Sequence, residues 1–253
     1  MLESIYRVSG LAASPMCVGV NMAIDGLFSL LSKKSEYQSL IALFGQSQAT
    51  EHTVLLDSAL PYVVGALRDN LKTPMLVLVP KPERARKIYE DLVTWCGEES
   101  EIYQLPDGER LPFERLIGSD ETTHDRIRAL AALLRLDYQN PRPHPVVVAS
   151  MAAISQRTLD FDLFQTSCHY VSVGQTVNMA MLMGWWQKIG YRVEGVVEVP
   201  GTASRRGGIL DIYPPGAKLP SRIEMVGNQV ESIRLFDPST QLSVQHIERT
   251  FIL

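Results

Sequence analysis

The sequence predicts an α/β protein: a mostly parallel sheet with helices on its faces, followed by a smaller α+β unit. Three observations carry this. Two continuous apolar runs, MLVLV at 75–79 and VVVA at 146–149, read as strands buried in a parallel sheet. Helical periodicities precede the first run and fill the space between the two, which is the alternation of an α/β layer. After about Cys168 the texture changes to short strands and turn signals.

The elements follow in order. Ile24, Leu27, Phe28, Leu30 and Leu31 recur at helical spacing, so residues 1–35 form an N-terminal extension with a short amphipathic helix. Tyr37 to Phe44 reads as a strand-like entry closed by Gly45. Val54 to Leu71 places Leu55, Ala59, Leu60, Val63, Val64 and Leu67 on one broad face, a helix expected to bend at Pro61. Ala85, Ile88, Leu92 and Trp95 put a second helix over 83–95, and a third covers about 121–138 behind the capping candidates Ser119 and Asp120. With the strand at 146–149 these make a first domain over 36–168. In the second, 169–253, HYVSV is a strand candidate and Met179, Leu182, Met183 and Trp186 mark a helix over 176–189. GILDIY, RIEMV and VESIRLF are strands, the last two joined through Gly227, Asn228 and Gln229 as a hairpin. Trp185 and Trp186 point about 100° apart on a helix, so one packs inside and the other caps the rim.

Composition narrows the function classes. With 45% hydrophobic and 21% charged residues the chain has a globular composition. A net charge of -4 provides no general nucleic-acid footprint. Residues 169–253 hold eight basic and seven acidic side chains, an asymmetry too small to name a partner. Cys17, Cys96 and Cys168 are far apart, with no C-x-x-C spacing, so reduced thiols are expected rather than a metal or redox motif. The apolar stretch 10–31 is interrupted by Pro15, Asn21 and Asp25, so neither a membrane span nor a signal peptide is expected, and the cytoplasm follows by default.

One chemical motif is present only as a frame. A glycine loop leading into a helix is the frame of the phosphate-binding motif G-x-x-x-x-G-K-[ST], whose lysine neutralises phosphate and whose hydroxyl binds magnesium. Counting from Gly45, the second glycine is replaced by Thr50, the lysine by Glu51 and the hydroxyl by His52. Glu51 against a phosphate at about 4 Å costs on the order of 4 kcal/mol even near the surface. No tight nucleotide site is therefore expected. The plainer reading is that Gly45 only ends an element. The histidines lack metal-ligand spacing, and Asp107, Glu109 and Glu114 read as a solvated loop rather than an acid–base pair. No cofactor is expected.

Five segments together resemble UvrB and, more closely, the N-terminal UvrB-like region of bacterial transcription-repair coupling factors (Mfd). They are FGQSQATEH at 44–52, MLVLVPKPERARKIYEDL at 75–92, LPDGERLPFERLIGSDETTHDRIRAL at 105–130, VVVASMAAISQR at 146–157, and the long run from Gly190 to Val244. That last run carries, in order, GYR, RRGGILDIYPP, PSRIEMV and IRLFD. The resemblance implies a degenerate P-loop (RecA/helicase-like) domain followed by a UvrB-type α+β domain that docks onto UvrA. It implies contact arginines at Arg206 and Arg222, and a third contact at Val226, where the family can carry an aromatic residue. On a strand, Ile223 and Met225 share one face, expected buried, while Arg222, Glu224 and Val226 share the other, expected exposed. The resemblance also implies a longer parent protein whose RNA polymerase and DNA contacts and ATP-driven translocase lie outside this chain, which is then no enzyme itself. The alternative is a UvrB-like, ATP- and DNA-binding damage-loading protein. The missing lysine and the lack of an aromatic-rich hairpin after the loop weigh against it.

Overall fold

The structure, a computed structural model, describes residues 21–44, 52–97, 101–108, 120–134 and 144–253. Gly45, Thr50 and Glu51 of the expected loop, and Glu109 and Glu114, lie outside the described residues.

The chain enters through two helices, α1 (Asn21–Leu31) and α2 (Ser35–Phe44). The second overturns the strand expected over 37–44. Its β-prone residues fall at helical spacing: Tyr37 is buried, and Leu40 and Ile41 pack with it against Val63 and Leu67. Tertiary burial of a helical stripe outweighs local strand preference here. Glu36 sits in the first turn, where its own backbone N–H and Ser35 hold its carboxyl below the ordinary range. The helix expected over 54–71 begins late. Residues 52–56 are irregular, a 3-10 turn covers Asp57–Ala59, and α3 is Leu60–Leu71. Pro61 does not bend a helix but starts one, because its missing N–H is among those with no intrahelical partner in the first turn.

Three parallel strands follow: β1 (Met75–Val79), β2 (Ile102–Leu105) and β3 (Val146–Ser150), in the order β1-β3-β2. Flanked on both sides, β3 is buried at all five residues. Alternation divides it between two helices. Val146 and Val148 face α4 (Pro82–Cys96), whose Ile88 and Leu92 are buried against them. Val147 and Ala149 face α5 (Asp120–Leu133), through Ala129. The short strand β2 was not foreseen in the sequence. On β1, Leu76 and Leu78 are 46% and 45% exposed, against the expectation that both its faces are buried. Two short helices, α6 (Met151–Ile154) and α7 (Phe161–Ser167), lead on; Ser150 caps the first through the Ala153 N–H and Asp160 the second through the Asp162 N–H.

The remaining residues build two sheets. Strand β4 (His169–Ser172) pairs antiparallel with β11 (Arg249–Ile252). Helix α8 (Met179–Ile189) runs from an Asn178 cap to Gly190, whose φ of 114° ends it. A six-stranded sheet then forms from β5 (Arg192–Val193), β6 (Thr202–Arg206), β7 (Ile209–Tyr213), β8 (Ser221–Val226), β9 (Gln229–Phe236) and β10 (Ser243–Ile247), ordered β10-β9-β8-β7-β6-β5. Leu182, Met183 and Trp186 of α8 pack on Ala203, Leu210, Ile212, Ile223 and Ile233 from one sheet face. Trp186 is fully buried and Trp185 lies partly buried at the rim, beside the His169 ring. No described helix is long and apolar enough to cross a membrane.

Candidate protein-interaction site

The face of the six-stranded sheet opposite α8 carries polar and charged side chains, and its centre is a buried carboxylate. Asp211 on β7 is 1% exposed and lies directly across from Arg222 on β8. Arg222 grips it with two prongs, Nε donating to Oδ1 at 2.7 Å and Nη2 to Oδ2 at 2.9 Å. Arg206, at the end of β6, donates from Nη2 to the same Oδ2 at 2.7 Å. One carboxylate thus serves two arginines. The hydrogen bond to Asp211 raises the Arg222 guanidinium above its ordinary value, so it stays charged throughout.

The two arginines differ in what else holds them. Arg222 also donates to the Gln241 backbone oxygen at 3.1 Å and to Gln241 Oε1 at 3.2 Å. Its Cζ lies 4.4 Å from the centroid of the Phe236 ring, a cation–π contact. Gln241 reaches this position through a turn in which Asp237 accepts from the N–H groups of Ser239 and Thr240 and Gln241 itself takes a φ of 61°. Its amide is pinned in turn to the Val197 and Pro238 carbonyls. Arg222 is therefore only 14% exposed, whereas Arg206 is 49% exposed. Next to them Arg234 pairs with Glu224, which also accepts from Ser232 Oγ at 2.7 Å. Three arginines against two carboxylates leave this patch one positive charge in excess.

Two turns bring the edge of the patch to one end of the sheet. Gly207 and Gly208 join β6 to β7, and Gly227 and Asn228 join β8 to β9. They lie side by side: the Met225 N–H donates to the Gly208 oxygen at 2.8 Å, and a Cβ on Gly208 would sit 2.9 Å from the Met225 carbonyl oxygen, so only glycine fits there. Arg206 and Val226 flank this end, and Val226 is 65% exposed. Ile223 and Met225 are buried on the α8 side as the alternation in RIEMV predicts. The same alternation predicts an exposed Arg222. The structure corrects this, because Asp211, Gln241 and Phe236 enclose its head group.

At the carboxyl ends of β2 and β3, the side of the sheet where open α/β folds usually bind ligands, the described side chains bond to the protein itself. Ser150 Oγ donates to Asp107, Arg126 donates to the Pro106 oxygen, and Gln156 accepts from the Gly108 N–H. Burial lowers the Arg126 guanidinium from its ordinary value, opposed by the Asp107 charge. His52 is exposed. Among the described residues no group of three or more His, Cys, Asp or Glu side chains could hold a metal ion.

The stretch of chain that builds this face matches a known module. Residues 170–253 match the UvrB interaction domain. The wider chain is similar to transcription-repair-coupling factors. It is 26% identical to that of Bacillus subtilis (strain 168) over 225 residues, covering 88% of this chain and 18% of the relative. It is 30% identical to that of Myxococcus xanthus over 197 residues, covering 77% of this chain and 16% of the relative. One from Staphylococcus epidermidis is 29% identical over 224 residues. The resemblance to the UvrB-like N-terminal region of these factors thus extends beyond the UvrB interaction domain over most of the chain, which spans under a fifth of the relatives' length. Arg206, Arg222 and Val226 all lie inside the UvrB interaction domain, on one face of its sheet. Asp211, Gln241 and Phe236 belong to the same cluster and were not singled out in the sequence. The one signal was Asp211 itself, a charge between Leu210 and Ile212 in an otherwise apolar strand, which needs a partner if it is buried.

Proposed function

We propose that the chain is a UvrA-recruiting, non-catalytic module of the kind found in transcription-coupled nucleotide excision repair. In this reading 36–168 is a degenerate UvrB-like nucleotide-binding domain and 169–253 the unit that docks onto UvrA. The observation that carries it is the arginine face of the UvrB interaction domain. Arg206 keeps half its surface free beside the exposed Val226, and the patch has one positive charge to offer a carboxylate. Arginine suits this because its planar fork holds a carboxylate with two hydrogen bonds. Arg222 contributes from beneath, with its exposed edge alone. Glu51 in place of the phosphate-loop lysine is what favours the non-catalytic reading. RNA polymerase and DNA are contacted, in this reading, only by parts of a longer parent outside this chain.

The test is capture of purified UvrA by the whole chain. Wild type retains UvrA, and Arg206→Gln retains at least about tenfold less at unchanged fold, the loss expected when a buried interfacial charge pair loses one partner. Failure of the wild-type chain to capture UvrA would end this reading. Calorimetry with magnesium-ATP should be silent at sub-millimolar concentration. A clear micromolar isotherm would instead favour a UvrB-like ATP-binding role.

A further inference from the structure

We propose that Asp211 is a positioning residue for partner binding: it aims Arg206 at the partner's carboxylate and, with Arg222, sets the patch to accept a single acidic group. This rests on the UvrA-docking reading above.

The geometry separates the two arginines by what they have left to give. Of the five N–H donors on Arg222, two go to Asp211 and two to Gln241, with one of the Asp211 bonds on each side of the carboxylate. Its fork is spent. Arg206 gives Asp211 a single bond, from Nη2. That one bond takes a single Nη2 hydrogen and restrains the guanidinium, while the other Nη2 hydrogen, with Nε or Nη1 beside it, is left to make a fork for a second carboxylate. A free arginine would pay rotamer entropy on binding. One tethered to a 1%-exposed Asp211, itself held in register opposite Arg222, has already lost that freedom. The charge count points the same way. Asp211 cancels one of the two arginine charges it touches, and Glu224 cancels Arg234, so a single carboxylate completes the patch.

Positioning and simple attraction predict opposite signs. If the arginines act by charge alone, Asp211→Asn adds a positive charge and tightens binding to an acidic surface. If Asp211 aims Arg206, the same change weakens binding about tenfold, because the amide brings donors to arginines that need acceptors. A general loosening of the fold is separated from aiming by a double-mutant cycle with Arg206→Lys, which keeps the charge but has no fork. UvrA affinity is measured for wild type, each single variant and the double variant, alongside melting. Expected are losses of about tenfold for each single variant and no further loss in the double, since both remove one oriented fork. Unchanged or tighter binding by Asp211→Asn, or losses that multiply in the double variant, would overturn the inference while leaving the docking reading intact. A wild-type chain that does not bind UvrA overturns both. Should Asp211→Asn not fold, Arg206→Lys decides alone: weakened binding at unchanged melting supports the proposal, and wild-type affinity ends it.

Discussion

Leu76 and Leu78 stand on a strand of unbroken apolar sequence and are 46% and 45% exposed; Arg222 and Asp211 carry full charges and are 14% and 1% exposed. The two pairs occupy different places on two sheets of one chain. The leucines lie on β1, which ends the order β1-β3-β2, while the charges lie on β7 and β8, the two middle strands of six. An interior strand can bury a charge where register brings the opposite charge across from it, as with Asp211 and Arg222, while Arg206 on β6 and Val226 on β8 stay open at the end of the sheet. An end strand leaves part of its surface open whatever its residues are. Place in the sheet thus overrides residue type in both directions, with an energetic asymmetry. An exposed leucine costs little, but a buried charge without its partner costs several kcal/mol.

The sharpest way to break that comparison is to remove one partner of the buried pair. Arg222→Glu leaves Asp211 enclosed beside a second carboxylate, and breaking such a pair costs about 3–5 kcal/mol. For a domain-sized unit this lowers the melting temperature by about 10 °C. Arg206→Gln, at a half-exposed position, should cost only about 1 kcal/mol and a few degrees. Thermal unfolding followed by circular dichroism compares the two. Equal losses would mean that Arg222 is no more built into the fold than Arg206.

A smaller effect comes from a half-buried group that lacks a charged partner. His169 begins β4; its Nε2 accepts from the Trp186 indole N–H at 3.3 Å and its ring centroid is 4.0 Å from that of Trp185. Burial pushes its pKa down from 6.5 to about 4. The unfolded chain therefore takes up the proton first. The stabilisation is complete above about pH 6.5 and is lost as pH falls towards about 4. Discounted for partial exposure, it amounts to roughly 1–2 kcal/mol. His169→Gln keeps an acceptor for Trp186 but does not titrate. Melting temperatures at pH 7 and pH 4.5 should fall further in wild type than in the variant, and parallel curves would show that His169 does not drive the change.

What the sequence made legible was set by how local the physics is. Alternation in RIEMV assigned Ile223 and Met225 to the buried side, and Gly227 with Asn228 marked the β8–β9 turn, because both depend on neighbours in the chain. The helix over 83–95 was legible for the same reason. Tyr37 to Phe44 misled because its residues favour strand locally while its buried stripe is helical, a choice made by packing against α3. Strand β2 was missed because four residues, IYQL, give too short a pattern. In the candidate site the arginines were found by resemblance, but the enclosure of Arg222 depends on Asp211 eleven residues before it and Gln241 nineteen after. Register and a turn with a φ of 61° bring those groups together, and no local pattern encodes either.

The smallest expected effect tests the apolar half of the comparison. Leu76 and Val147 are register partners on adjacent strands and point to the same face of the sheet. Val147 is fully buried against α5, whereas Leu76 is 46% exposed. Threonine is β-branched and suited to a strand at both positions; it matches the shape of valine at 147 and is shorter than leucine at 76. At Val147 the hydroxyl enters the core without water, at a cost of about 1–3 kcal/mol. At Leu76 the hydroxyl can stay solvated and less apolar area is given up, so the change stays within about 0.5 kcal/mol, as for most surface substitutions. On a scale of a few degrees per kcal/mol, Val147→Thr should melt several degrees below wild type and Leu76→Thr within about 2 °C of it. If Leu76→Thr fell as far as Val147→Thr, β1 would be covered in solution on this face, and place in the sheet would no longer separate the leucines from the core.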